Sequence, residues 1–145
     1  MRIYIASPYT IGDTDLNVRR QLEVADELMN LGYTPYVPLL SHFQHLVFPR
    51  SYKDWLEHDI EWLKVCDCVL RLKGKSKGAD KEVRTAKELK IPVYYSIKEL
   101  EEIKEKEKTN ELNKKLYKID KQAKKLAKKF ISKIENDKIP VHICR

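Results

Sequence analysis

Four short runs rich in β-branched and aromatic residues, RIYIA (2–6), TPYVP (34–38), CVLRL (68–72) and IPVYY (91–95), are separated by stretches long enough to hold a helix. This alternation constrains the fold more than any other feature. Strands joined by helices become parallel neighbours, because each helix must cross over the sheet before the chain can re-enter it. The order β-α-β-α-β-α-β therefore reads as an α/β domain with a mainly parallel sheet.

The helices can be placed from their caps. After the loop SPYTIGDTD, Asp13, Thr14 and Asp15 are all N-cap candidates; Leu16, Leu22, Ala25, Leu28 and Met29 then fall mostly on one face until Gly32 supplies a stop. A second helix is expected from about Tyr52 to Val65, after a loop SHFQHLVFPR, and a third from about Ala79 to Leu89, after the polar loop KGKSKGAD. Ser96-Ile97-Lys98-Glu99 reads as a capping box opening a helix that closes the domain near Lys108, and Thr109-Asn110 could cap another. The expected division is a domain over residues 1–108 and a Lys-rich helical extension with a short tail over 109–145.

Charge follows the same division. The 145 residues carry a net charge of +7, yet residues 1–97 hold 14 basic and 13 acidic side chains while residues 98–145 hold 15 and 9. In the extension Leu112, Leu116, Ile119, Ala123, Leu126, Phe130 and Ile134 recur at spacings of 3 and 4, an a/d seam of about three heptads. Blocks such as KKLAKK (124–129) could contact nucleic-acid phosphates. A 3–4 seam flanked by Lys is the commoner mark of a packing helix, so assembly into a homo-oligomer through this helix is expected and a nucleic-acid partner is not. The tail DKIPVHICR (137–145) reads as an edge strand or docking segment.

No apolar run approaches the roughly 18 residues of a membrane helix, and MRIYIASPYT lacks the basic-then-apolar layout of a secretion signal, so a cytoplasmic protein without a membrane partner is expected. Cys66, Cys68 and Cys144 cannot all pair with one another, and reduced core thiols are the expectation. His45, His58 and His142 stand at no ligand spacing with other donors, so no metal site is expected.

In a parallel sheet, ligands bind outside the carboxyl ends of the strands, so SPYTIGDTD, LLSHFQH and KGKSKGAD should meet at one crevice. Their glycines form neither G-x-G-x-x-G nor a Walker A sequence. Three residues near that crevice are unusual. Tyr4 lies in a strand expected to be buried, where its hydroxyl needs a partner, although strands accept Tyr readily. Asp59 lies near the apolar side of the second helix, or is simply a solvated helix carboxylate. Glu82 is expected in the first turn of the third helix, where free N–H groups favour an ionised carboxylate whether or not it has a further role.

The segments IYIASPYT, NVRR, PYVPLLSHF, WLEHDIEWLKVCDCVLRL and SKGADKE together resemble the nucleoside 2-deoxyribosyltransferase-like superfamily, which includes the 2'-deoxynucleoside 5'-phosphate N-hydrolases, over about residues 2–97. The resemblance implies a Rossmann-like, flavodoxin-like α/β sandwich, here with a C-terminal helical extension. It implies that Glu82, closing Gly78-Ala79-Asp80-Lys81-Glu82, is the nucleophile; that Asp59, ahead of Trp62-Leu63 and Asp67, acts as acid or positions the sugar; and that Tyr4 holds the nucleophile. The turn after Tyr4, Ser7-Pro8, departs from the pattern in having Ser7 where Gly is usual. Ser76 before Gly78 matches the members that act on 5'-monophosphates, in which this Ser binds phosphate. Lys75, Lys77 and Arg19 could assist it, and His42 and Phe43 could line the base or sugar pocket. The implied reaction is cleavage of an N-glycosidic bond through a covalent glycosyl-Glu82 ester, resolved by water or by a second base, with no metal or organic cofactor. Members of the superfamily usually complete the site from a neighbouring chain. A nucleotide-binding sensor without turnover is the reading outside enzymology.

Overall fold

A computed structural model describes residues 1–136. The described residues divide into two units, Met1–Glu101 and a second that begins at Glu102. In the first unit β1 (Arg2–Ala6), β2 (Thr34–Tyr36), β3 (Cys68–Arg71) and β4 (Val93–Tyr94) alternate with α1 (Thr14–Asn30), α2 (Ser41–Val47), α3 (Tyr52–Lys64) and α4 (Lys77–Glu88). All four strands are parallel, in the order β2-β1-β3-β4, so β1 is interior. The α/β fold with a parallel sheet that the alternation predicts is what the chain forms.

Because successive side chains of a strand point to opposite faces, β1 serves two cores. Ile3 and Ile5 join Ala25, Leu28, Leu70 and Leu100 on the face covered by α1 and the first turn of the last helix. Tyr4 and Ala6 face the other way, against Leu63, Val69, Ala79 and Ala86 of α3, β3 and α4. Ile3, Ile5, Leu28 and Leu70 are completely buried, and each such burial contributes roughly 1.5–3 kcal/mol. The alternation also decides chemistry, since it turns Tyr4 towards the helices that carry Asp59 and Glu82.

Local signals set most boundaries. The Asp13 carboxylate accepts from the Leu16 N–H and starts α1, and Gly32 at φ +78° follows the helix end, a conformation that favours glycine. Ser51 and Asp54 form a reciprocal capping box at α3. Gln21 on α1 is fully buried and ties three segments together. Its amide donates to the Ile5 carbonyl at 2.7 Å and the Ser7 hydroxyl at 2.8 Å, while its oxygen accepts from the Leu39 N–H at 2.9 Å.

Three expectations need correction. The segment expected as a loop before α3 holds a 3-10 turn, Pro38–Leu40, and the short helix α2; Pro38 at the first position suits a helix start. The helix expected to stop near Lys108 does not stop: α5 runs from Ile97 to Asn136. Thr109 does not cap a new helix, because its hydroxyl donates to the Glu105 carbonyl one turn back, and no Gly or Pro interrupts the run. Glu82 is the sixth residue of α4, whose N-cap is Ser76, so it lies beyond the first turn, where Asp80 is found instead.

Cys66 and Cys68 are buried free thiols. Cys144, His142 and the tail expected as an edge strand or docking segment lie outside the described residues. Among the described residues no helix is long and apolar enough to cross a membrane.

Candidate active site

The carboxyl ends of β1, β2 and β3 bring the three predicted loops together. The Tyr9 hydroxyl meets His42 Nδ1 at 2.8 Å, linking the first loop to α2. Gly74, at φ +127°, lies under Pro8, where an added Cβ would stand 2.6 Å from Pro8 Cγ. No other residue type fits there, and the contact fastens the first loop to the one before α4.

Tyr4, Asp59 and Glu82 converge beneath these loops. The Tyr4 ring is completely buried, and Asp59 and Glu82 are 9% and 8% exposed. Burial pushes Glu82 up from 4.5 to about 7, and the Asp59 charge pushes in the same direction; Tyr4 and the Arg71 guanidinium oppose it. Burial also raises Asp59 from 3.8 to about 6, against the pull of His58 and Tyr36. The Tyr4 hydroxyl is held well above its ordinary value by burial first and by Glu82 and Asp59 next. It faces Glu82 without closing a hydrogen bond of normal geometry, so it is a buried donor aimed at the carboxylate pair. Two carboxylates and a phenol in one buried site, each preferring its proton, form a constellation suited to acid, base and nucleophilic work near neutral pH.

The surroundings of this trio include residues that sequence reasoning passed over. Tyr4 pairs in register with Tyr36 on β2, and their rings stack with centroids 5.6 Å apart; Tyr36 in turn stacks on Trp62 of α3 at 5.0 Å. The Tyr36 hydroxyl donates to Asp59 Oδ1 over a long 3.4 Å, and His58 Nδ1 stands at the same distance from that oxygen. Arg71, at the end of β3, is buried. Its guanidinium donates to the carbonyls of Leu72 and Gly74, the latter at 2.7 Å, and to Asp80 Oδ1 at 3.0 Å. That fork braces the loop leading to Ser76. Its only signal in the sequence was a charged residue inside the apolar run CVLRL, where alternation puts it on the same face as Val69.

The predicted binding residues are distributed less evenly. Ser76 caps α4, its hydroxyl oxygen accepting from the Ala79 N–H at 3.2 Å, which leaves its O–H free to donate. A Cβ on Gly78 would stand 3.4 Å from the Tyr52 hydroxyl and 3.8 Å from Ser76 Oγ, so the missing side chain keeps the space between those two hydroxyls open. Lys73, Lys75 and Lys77 are exposed around the same loop. The Ser7 hydroxyl is held by Gln21, and Pro8 by Gly74. His42 touches Tyr9 and packs edge-on to Phe43, which is half exposed. Arg19 is not joined to this group by any hydrogen bond or ion pair in the structure: it is exposed and bonds Glu23 at 2.8 Å along α1. Among the described residues no three His, Cys, Asp or Glu side chains converge to hold a metal ion.

Fold and site together define an α/β domain whose parallel sheet carries a buried carboxylate pair at its carboxyl edge. Residues 1–96 match the family described as a domain of unknown function, DUF7768, and the chain belongs to that family. No curated protein matches it. Among solved structures, the 2-deoxyribosyltransferase from the psychrotolerant bacterium Bacillus psychrosaccharolyticus is similar at a TM-score of 0.49 and 20% identity, over 64% of this chain and 69% of that one.

Proposed function

We propose that this domain cleaves the N-glycosidic bond of a nucleoside 5'-monophosphate, with a 2'-deoxynucleotide as the favoured substrate, through a covalent ester on Glu82. The observation that carries this reading is the burial of Glu82 beside Asp59 and Tyr4 at the carboxyl edge of the sheet. A carboxylate oxygen of Glu82 bonds to C1' as the C1'–N bond breaks, and the bonding pair leaves on the base nitrogen, which takes a proton from Asp59. Water then attacks C1' from the vacated face, passing its proton to Asp59 and releasing Glu82, so configuration at C1' is retained. A base nitrogen in place of that water makes the reaction a deoxyribosyl transfer. Tyr4 orients the Glu82 oxygens and stabilises their charge by donating its O–H as substrate arrives.

Support for a phosphate on the substrate comes from the loop before α4. A free Ser76 O–H and the Tyr52 hydroxyl flank the space left open at Gly78 at the start of α4, and three exposed lysines, Lys73, Lys75 and Lys77, belong to the same loop and helix start. The mechanism needs Glu82 ionised and Asp59 protonated. Because burial holds Glu82 at about 7 and Asp59 at about 6, this is the minor of the two one-proton forms of the pair, and turnover should rise and fall around pH 6 to 7, where one proton is shared between them.

The test is incubation with nucleosides and with 5'-monophosphates, with and without a second base, scoring free base and exchanged product, while intact-mass measurement looks for a pentose-phosphate adduct. Glu82→Ala should abolish turnover and adduct together. Activity that survives in Glu82→Ala would refute the mechanism. Product formation only when a second base is present would identify the transferase, and tight nucleotide binding with no product would identify a sensor.

A further inference from the structure

We propose that the Lys-rich part of α5 is one strand of a parallel, two-stranded coiled coil formed with a second copy of this chain. The seam supplies the first argument. Leu112, Ile119 and Leu126 occupy d positions, and Leu116, Ala123 and Phe130 occupy a positions, without a break over nearly three heptads of continuous helix. The five large residues of this seam are 55% to 67% exposed. A stripe repeating every 3.5 residues fits another helix with the same repeat, and a second copy supplies one by symmetry.

Charge decides the orientation. With the seam so assigned, the g positions are Lys115, Gln122 and Lys129, and the e positions are Asn113, Asp120, Ala127 and Ile134. In a parallel pair each g residue faces the e residue five places on in the other helix. Lys115 then faces the partner's Asp120, twice by symmetry, and the other g–e pairs, Gln122 with the partner's Ala127 and Lys129 with the partner's Ile134, hold no like charges. An antiparallel pair in the register that aligns the seams joins g to g and e to e. It sets Lys115 against the partner's Lys129 twice, and Asp120 against the partner's Asp120. Like charges opposed at these positions destabilise the pair, so the parallel arrangement is the one this sequence favours.

Sedimentation equilibrium on the full chain tests this. The wild type should have twice the chain mass at micromolar concentration, and Leu116→Asp/Ile119→Asp should be monomeric with the near-UV dichroism of the first unit intact. Lys115→Gln removes the pair with the partner and also the bond to Glu111 within the helix, so it provides the baseline for Lys115→Glu. In the parallel coil Lys115→Glu should raise the dissociation constant roughly fivefold over Lys115→Gln by facing the partner's Asp120, and adding Asp120→Lys should reverse that rise relative to Lys115→Gln/Asp120→Asn, which like it lacks the Asp120–Lys124 bond within the helix. Tighter association of Lys115→Glu than of Lys115→Gln would overturn the orientation. A monomeric wild type, a mass of three or more chains, or a dimer that survives Leu116→Asp/Ile119→Asp would overturn the proposal.

Discussion

Replacing Glu82 by Gln should stabilise the fold at pH 8 while removing the proposed activity. In the folded domain Glu82 holds its proton up to about 7, whereas an ordinary glutamate loses it near 4.5. Between those values the unfolded chain ionises and the native one does not, so stability falls as the pH rises, and the full loss is present above 7. At about 1.4 kcal/mol per pH unit, that loss is about 3 kcal/mol. Gln has the same shape, cannot ionise, and avoids the loss. Urea denaturation should therefore find Glu82→Gln about 2–3 kcal/mol more stable than wild type at pH 8, with an unchanged slope, and within about 0.5 kcal/mol of it at pH 4.5. An equal gain at both pH values would mean that amide packing is responsible, and no gain at pH 8 would refute the claim that the fold holds an unfavourable buried charge.

Removing the Tyr4 hydroxyl as Tyr4→Phe leaves the buried ring in place, so stability should change by less than about 1 kcal/mol, while turnover should fall roughly ten- to a hundredfold; unchanged turnover would remove Tyr4 from the mechanism. Gly74→Ala places a Cβ against Pro8 at a backbone angle suited to glycine, and a drop in Tm of roughly 10 °C is expected by scanning calorimetry. Gln21→Leu strands the Leu39 N–H and the Ile5 carbonyl in the interior, and chemical denaturation should show a loss of about 2–3 kcal/mol.

Local features proved legible where the physics is local. β-branched runs located the strands, the N-cap candidates Asp13, Thr14 and Asp15 bracketed the start of α1, and the strand RIYIA made Tyr4 a buried residue, though not which face of the sheet it takes. What escaped depends on partners distant in the chain. Arg71 looks misplaced in CVLRL until the Leu72 and Gly74 carbonyls and Asp80 are seen folded around it. Tyr36 reads as an ordinary strand residue until register sets it beside Tyr4 and Trp62. The stop expected near Lys108 failed because Thr and Asn cap a helix only when their own backbone is extended, and here Thr109 and Asn110 are themselves helical, with the Thr109 hydroxyl turned back to the Glu105 carbonyl.

The interior position of β1 also has a bearing on synthesis. Its second neighbour, β3, lies more than sixty residues further along the chain, and the Arg2–Asp67 bonds that pin its edge span 65 positions. A ribosome must therefore release most of the α/β unit before its innermost strand can be flanked on both sides. Until then the unpaired edge of RIYIA is available to neighbouring nascent chains, and helper proteins that shield such edges would have most to do in that interval.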